Sequence, residues 1–449
     1  MARAREWRAS LGENIQDRAV CAIYRRAETV AARVVRSPAP AGPGWEALLD
    51  DLLTSPLLGY PAMLVLLGLV FWLTLAGANV PSELLAALFA GLEEKLTALC
   101  HLAGVPAWVH GLLVLGVYRT TAWVVAVMLP PMAIFFPLFT LLEDLGYLPR
   151  VAFNLDRAFR RAGTQGKQAL TMGMGFGCNA AGVVACRIID SPRERRIALL
   201  TNVFTPCNGR FPTLIVLAGL LAGGSLAAAG IVAGLVLAGI LATFAVSWLL
   251  ARTLLRGTPS SFALELPPYR PPQVGRILVR SLCDRTLVVL RRAVTVAAPA
   301  GAVTWLLGNT HLGGASLLAH VAGLLDPCGR LLGLDGFILA AFLLGLPANE
   351  IVLPILLMGY LGSGAMVEVD SLAGTGLREV LLAHGWTWLT VLNTMLFSLL
   401  HYPCATTLLT IRRETGSRKW TILAALIPTV VAAAACFFTA RVARLLGLA

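Results

Sequence analysis

Three cysteines, one glutamate and three asparagines stand where an apolar chain is least expected to carry them. Cys178-Asn179 follows Gly175-Phe176-Gly177, and Cys207-Asn208 follows Pro206. Asn349-Glu350 follows Pro347-Ala348, and Cys404 follows Pro403. Each group interrupts a long apolar stretch, where proline breaks helical hydrogen bonding. Irregular backbone at membrane depth survives only where protein buries it or where it lines a cavity. Paired breaks in corresponding positions of two halves point to a binding site of the transporter type. Thiolates are soft ligands and oxygen donors are hard ones. Cys178, Cys207 and Cys404, with the Glu350 carboxylate and the carbonyl oxygens of Asn179, Asn208 and Asn349, form a mixed set suited to a borderline divalent cation such as iron(II). Half-helix ends at the breaks would add free carbonyls and partial charges.

Plainer readings stand beside these. A lone cysteine in a membrane helix packs as a small apolar residue, which competes evenly with ligation for Cys186 and Cys404. Asn179 and Asn349 could serve only to satisfy broken backbone. His401, beside Tyr402-Pro403-Cys404, reads as a core histidine before a ligand, and His311 and His320 read as surface residues. Glu350 is harder to set aside, because an acid at a helix centre costs roughly 2.5–3.5 kcal/mol on insertion scales.

The elements that must position these groups are membrane helices. Of 449 residues, 57% are hydrophobic and 13% charged, with mean hydropathy +0.76; a soluble domain carries about 25% charged residues. The net charge of +12 comes mostly from arginines in short loops, the positive-inside pattern, so nucleic acid is not an expected partner and the lipid bilayer is. Nine cysteines without CxxC spacing argue against a disulfide framework. No P-loop, HExxH, GxSxG or kinase signature occurs, so neither an enzyme nor a nucleotide site is expected.

Residues 17–35 read as an amphipathic helix and 37–44 as a linker. Spans are expected at 57–76, 127–142, 197–222, 227–251, 293–308, 386–410 and 420–440, with 108–125 ambiguous. Residues 168–186 are too short to span and are flanked by arginines on both sides, so they read as a re-entrant hairpin entered from the cytoplasm. Residues 252–292 form a basic, proline-rich loop ending in an interfacial helix. If 336–361, broken at Pro347, also re-enters, but from outside, the basic 412–419 loop falls inside. The two halves then repeat one order in opposite orientation. The expectation is an all-α polytopic membrane protein of about seven to eight transmembrane helices plus re-entrant and broken helices, with two inverted gate repeats. Its divisions are 1–50, a cytoplasmic helix and linker; 51–256, a first half with gate 1 at about 122–222; 257–292, a cytoplasmic loop; and 293–449, a second half with gate 2 at about 293–411.

At these residues the chain resembles the membrane domain of the ferrous iron transport protein B (FeoB) family. The resemblance rests on Leu53-Thr-Ser-Pro-Leu-Leu-Gly59, Leu141-Leu-Glu-Asp-Leu-Gly-Tyr147 with Arg150, and Gly175-Phe-Gly-Cys178-Asn179 with Cys186-Arg187 and Arg193-Glu-Arg195. Phe204-Thr-Pro-Cys207-Asn-Gly-Arg210-Phe-Pro212, Glu265-Leu-Pro-Pro-Tyr-Arg270, Ala348-Asn349-Glu350 and Tyr402-Pro403-Cys404 with Ile411-Arg-Arg-Glu414 continue it. It covers about residues 50–445. It implies iron(II) import across the inner membrane, with iron as cargo and no resident cofactor, gated in the family by an N-terminal G-protein domain. That domain is expected to be absent, with 17–36 a remnant of the connecting helix and a separately encoded GTPase or a homo-oligomer as candidate partners. Glu143, Asp144, Arg150, Arg187 and Arg210 are the candidates for cytoplasmic coupling. Two departures stand inside the gates. The family's GCxVPA reads Gly177-Cys-Asn-Ala-Ala-Gly182, without its proline, and its AKE reads Ala348-Asn349-Glu350, without its lysine. Loss of that cation should free Glu350 for metal or alter selectivity. The other readings are transport of manganese, zinc, a nucleoside or an organic anion on the same fold, or a non-transporting membrane partner.

Overall fold

The structure is a computed structural model that describes residues 15–34, 45–55, 57–222, 224–257, 269, 272–367 and 375–447. The 37–44 linker and most of the Glu265–Arg270 motif lie outside the described residues. The helices in chain order are α1 (Ile15–Val34), α2 (Trp45–Thr54), α3 (Gly59–Leu102), α4 (Ala107–Asp144), α5 (Tyr147–Arg161), α6 (Lys167–Gly177), α7 (Asn179–Ala185), α8 (Pro192–Thr201), α9 (Phe211–Ala222) and α10 (Ser225–Arg252). The second half continues with α11 (Val274–Asn309), a two-stranded hairpin (His311–Leu312 with Ala315–Ser316), α12 (Leu317–Leu331), α13 (Gly336–Leu344), α14 (Val352–Leu361), α15 (Thr375–Ala383), α16 (Trp388–Leu400), α17 (Ala405–Thr415) and α18 (Arg418–Leu445). Six helical segments are long and apolar enough to span, or seven if the bent pair α12–α13 counts as one. This is an all-α polytopic membrane protein.

Four stretches differ from the expectation: α3 continues past residue 76 to Leu102, and the expected 197–222 span is broken between α8 and α9 at Pro206-Cys207. The ambiguous 108–125 segment is no separate span: it runs through a π-helical turn at Gly111–Tyr118 into α4. With α3, whose 44 residues reach about 66 Å, it forms a hairpin longer than a hydrocarbon core of about 30 Å. Arg119 pairs with Glu93 across that hairpin. Likewise α11 begins at Val274 and runs unbroken past 292, where a boundary was expected, through a second π-helical turn at Ser281–Thr286.

The two halves match residue for residue over their central part, 170 positions apart. Helix α5 (Tyr147–Arg161) corresponds to α12 (Leu317–Leu331). Asp156 pairs with Arg160 at 2.6 Å and accepts the Gly166 N–H at 2.8 Å. Asp326 pairs with Arg330 at 2.6 Å and accepts the Gly336 N–H at 3.2 Å. Gly163 and Gly333, which close the respective turns, both have positive φ, 82° and 68°. Each motif starts a short helix whose N-terminus lies hard against the helix before it. A Cβ on Gly166 would lie 2.2 Å from the Ala152 carbonyl oxygen, and one on Gly336 1.9 Å from that of Ala322. Gly166→Ala and Gly336→Ala should therefore each lose stability by about 1–3 kcal/mol. Thermal unfolding in detergent checks this, with Gly219→Ala as the control, since nothing lies within 4 Å of that site.

The interface between the halves is crossed by small residues. A Cβ on Gly301 of α11 would lie 2.4 Å from the Gly116 carbonyl oxygen in the π-helical turn of α4, the close backbone approach that glycine permits between membrane helices.

Candidate functional site

Each half holds its first break in the same backbone shape. Cys178 has φ −153° and ψ 124° between α6 and α7; Ala348 has φ −152° and ψ 124° between α13 and α14. An extended residue there ends one helix and starts the next. Asn179 and Asn349 follow in equivalent positions. The second break of each half docks on the first. The Asn208 N–H, just past Pro206-Cys207, donates to the Gly177 carbonyl at 3.4 Å, and the Ala405 N–H, just past Pro403-Cys404, donates to the Leu346 carbonyl at 2.7 Å.

The four breaks converge on one buried cavity of about 30 Å³. Its wall includes Cys178, Asn179, Cys207, Asn208, Asn349, Glu350 and Cys404, so the structure brings together all seven pathway residues read from the sequence. Met128, Met132, Ala293 and Thr406 complete much of the remainder. Glu350 is 8% exposed and has no ion pair among the described residues. Its carboxylate packs on Gly209, where a Cβ would lie 2.2 Å from Oε1. The Asn349 Nδ2 lies 4.0 Å from Cys207 Sγ, while its Oδ1 is buried without a partner. Cys404 Sγ lies 3.3 Å from the Thr407 hydroxyl.

Three residues, Asn179 of the cavity wall among them, have partners that the plainer reading accounts for. The Asn179 amide lies 3.2 Å from the carbonyl oxygens of Gly175, Asn202 and Thr205, acceptors that only its nitrogen can serve, so we assign the nitrogen to that side, where it satisfies broken backbone. Cys186 is buried with its thiol on the Gly182 carbonyl at 3.3 Å. His401 is buried with Nδ1 2.9 Å from the carbonyls of Phe397 and Ser398, packed among Phe342, Phe397 and Tyr402. Among the described residues, no three His, Cys, Asp or Glu side chains are close enough together to hold a metal ion by themselves.

The coupling candidates occupy two different places. Arg187 makes a two-pronged pair with Glu414, both contacts 2.7 Å, which puts the 412–419 loop on the same face as the first re-entrant hairpin. Glu143 lies 3.6 Å from Arg285 on that face, and Asp144, at the end of α4, is exposed there. Arg150, 2% exposed, forks onto Asp50 at 2.9 and 3.2 Å and stacks on Tyr269 at 4.1 Å; the Tyr269 hydroxyl donates to Asp50 at 2.8 Å. The Arg150 hydrogen bond holds the Asp50 carboxyl below its usual range. The contact between α2 and α5 therefore keeps its full strength above the ordinary carboxylate pKa and is lost as pH falls through the lowered one.

Arg210 departs from its expected place. It is 0% exposed and lies at the junction of the second breaks, away from the basic face. Nη1 donates to the carbonyls of Val203 (2.8 Å) and Leu399 (2.7 Å), and Nη2 to those of His401 (3.0 Å) and Tyr402 (3.1 Å). The sequence places it with the candidates for cytoplasmic coupling. Its partners in the other half lie 189 to 192 residues away.

Comparison with known proteins agrees with this architecture. The Gate family model, described as nucleoside recognition, matches residues 125–221 and 290–418, about half of the chain. The model for the ferrous iron transport protein B C terminus matches residues 232–282. The "Fe(2+) transporter FeoB" of Staphylococcus aureus (strain MSSA476) is 29% identical over 417 residues, covering 90% of this chain and 60% of the relative. That of Methanocaldococcus jannaschii is 27% identical, covering 86% of this chain and 57% of the relative. A Porphyromonas gingivalis "Fe(2+) transport protein A/Fe(2+) transporter FeoB fusion protein" is 27% identical, covering 83% of this chain and 49% of the relative. The chain thus spans about 60% of the length of the first of these relatives. No solved structure matches significantly. With the Gate match falling on both halves of the inverted repeat and the C-terminal match between them, the chain belongs to the ferrous iron transport protein B family, as its membrane gate region.

Proposed function

We propose that this chain carries a divalent metal cation, iron(II) foremost, across the inner membrane through the cavity where the four breaks meet. The observation that carries the reading is the cavity itself. About 30 Å³ lined by three thiols, a carboxylate and asparagine amides is the size of an ion or a water and offers mixed soft and hard donors. A nucleoside, the ligand class in the Gate description, needs a pocket of about 300 Å³ or more. A cation bound by Glu350 and Cys207 would fill its shell with the Asn349 Oδ1, break carbonyls or water, an incomplete ligation that lets it leave again. The relatives named as Fe(2+) transporters support iron as the cargo.

Uptake into proteoliposomes tests this, with iron(II) kept reduced and with manganese(II), zinc(II) and a nucleoside offered in parallel. The expected result is saturable metal uptake with iron or zinc preferred over manganese. Nucleoside uptake, or no metal uptake by well-folded protein, would sink the proposal. Gly209→Ala refines it. The added Cβ must displace the Glu350 carboxylate, so metal uptake should fall while thermal unfolding changes little.

The basic face is the proposed docking side for a partner. The fusion of one relative to Fe(2+) transport protein A supports accessory proteins in this family, and a separately encoded GTPase docking there is our proposal. Recovery of no G protein with the chain from native membranes would count against it.

A further inference from the structure

A second cavity, of about 740 Å³, opens among α4, α6, α7 and α11 on the face that carries the Arg187–Glu414 and Glu143–Arg285 pairs. Only a thin wall separates it from the break cavity. On α7, Asn179 lines the break cavity and its neighbours Ala180 and Ala181 line the large one. On α11, Ala293 lines the former and Arg292 the latter. On α17, Thr406 lines the break cavity; one turn on, Thr410 donates its hydroxyl to the Thr406 carbonyl at 2.8 Å and accepts from Arg292 Nη1 at 3.2 Å. Arg292 is half-buried and has no ion pair among the described residues, whereas the arginines at the rim, Arg187 and Arg285, have carboxylate partners.

We infer that the large cavity is the cytoplasmic arm of the ion pathway, and that the hydrogen bond from Arg292 to Thr410 is its closure. This rests on the reading of the break cavity as the ion site. A fixed guanidinium in a low-dielectric wall repels a cation on either side of it. While Arg292 is held against α17, an ion at Glu350 is shut off from the cytoplasmic water. Release of Arg292 from Thr410, with the side chain turned away from α17, removes the plug and draws the nearest fixed positive charge on that wall back from the route. The charge also makes the closure selective: a cation waits for the arginine to move, and a neutral solute is not held by it. Arg292 is thus a positioning and selectivity residue, not a ligand.

The test reads access rather than transport. Inside-out membrane vesicles bearing the full chain are exposed to a cationic, membrane-impermeant methanethiosulfonate, and labelling of the peptides with Cys178, Cys207 and Cys404 is followed by mass. Cys283, exposed near the same face, reports sidedness and intact folding. Arg292→Ala and Thr410→Val should each speed labelling of the cavity cysteines about tenfold, the factor for loss of a charge-assisted hydrogen bond of about 1.4 kcal/mol. Val184→Trp, which fills the vestibule from a position on its wall, should return the Arg292→Ala rate toward that of the unmodified chain. Unchanged labelling in both Arg292→Ala and Thr410→Val, or acceleration that survives Val184→Trp, would overturn the inference. If Arg292→Ala fails to fold, Thr410→Val, which keeps the side-chain shape, decides alone, with Val184→Trp then tested in its background. Labelling needs no transported metal, so failure of metal uptake would reject the proposed cargo while the route is still read independently.

Discussion

Glu350→Gln lowers metal uptake at least about tenfold in proteoliposomes, with little loss of folded protein. The side chain is 8% exposed and sits in the break cavity without an ion pair among the described residues. Retaining a buried acid at membrane depth costs roughly 2.5–3.5 kcal/mol, and no ion pair among the described residues offsets that cost. On the proposed function, its partner is the transported cation. Glutamine keeps the shape and can hydrogen-bond, but it cannot balance the ion's charge. Outer-shell changes alone typically cost metal sites about 10–100-fold, so loss of the one carboxylate in the cavity should cost no less. Folding should survive, because removing an unpaired buried charge relieves desolvation. Cys207→Ser gives the complementary result. Oxygen for sulfur hardens the site, so iron(II) and zinc(II) uptake should fall more than manganese(II) uptake. Wild-type uptake in both variants would remove the cavity from the pathway.

The breaks were legible because proline, glycine and polar residues are poorly tolerated in a lipid-facing helix and so stand out against an apolar run. Pro206-Cys207, Pro347-Ala348-Asn349-Glu350 and Pro403-Cys404 each mark a place where the chain leaves the helix, and the structure leaves it there. The inverted order came from charge alone, since arginines flank the first hairpin on both sides. What stayed hidden depends on contacts distant in sequence. The polar stretch after the first span continues as helix because Arg119 finds Glu93 across a hairpin, and no local pattern announces that pairing. The spacing of Asp156, Arg160, Gly163 and Gly166 recurs at Asp326, Arg330, Gly333 and Gly336. It was present to be read, but four residues scattered over eleven make a faint signal until their hydrogen bonds give each a reason. Asn179 and Asn349 show the limit most plainly. They follow breaks of the same shape, yet one amide is used up by backbone carbonyls and the other leaves its oxygen unpartnered. Ligand type alone could not separate them.

Arg210→Met should be among the most damaging single substitutions in the molecule. Leu399, His401 and Tyr402 lie where α16 ends, and the last carbonyls of a helix have no partner within it. Val203 lies at the corresponding end in the first half. One guanidinium serves all four carbonyls, and its charge opposes the negative ends of two half-helices. Methionine fills the space but donates nothing. With each buried group left unsatisfied costing about 1–3 kcal/mol, the loss should reach several kcal/mol and appear as a much earlier loss of monodisperse protein on heating in detergent. Arg210→Lys then separates two roles. An ammonium keeps the charge but is a point donor of three protons, without the planar fork that spans both halves. If the clamp matters most, lysine loses stability and uptake together, because the two Pro-Cys breaks no longer hold Cys207 and Cys404 in fixed relation. If the charge matters most, by weakening cation binding enough for release, lysine keeps normal uptake despite lower stability. The four short bonds favour the clamp, so uptake and thermal stability should fall in step from arginine to lysine to methionine; a methionine variant as heat-resistant as the unmodified chain would refute it.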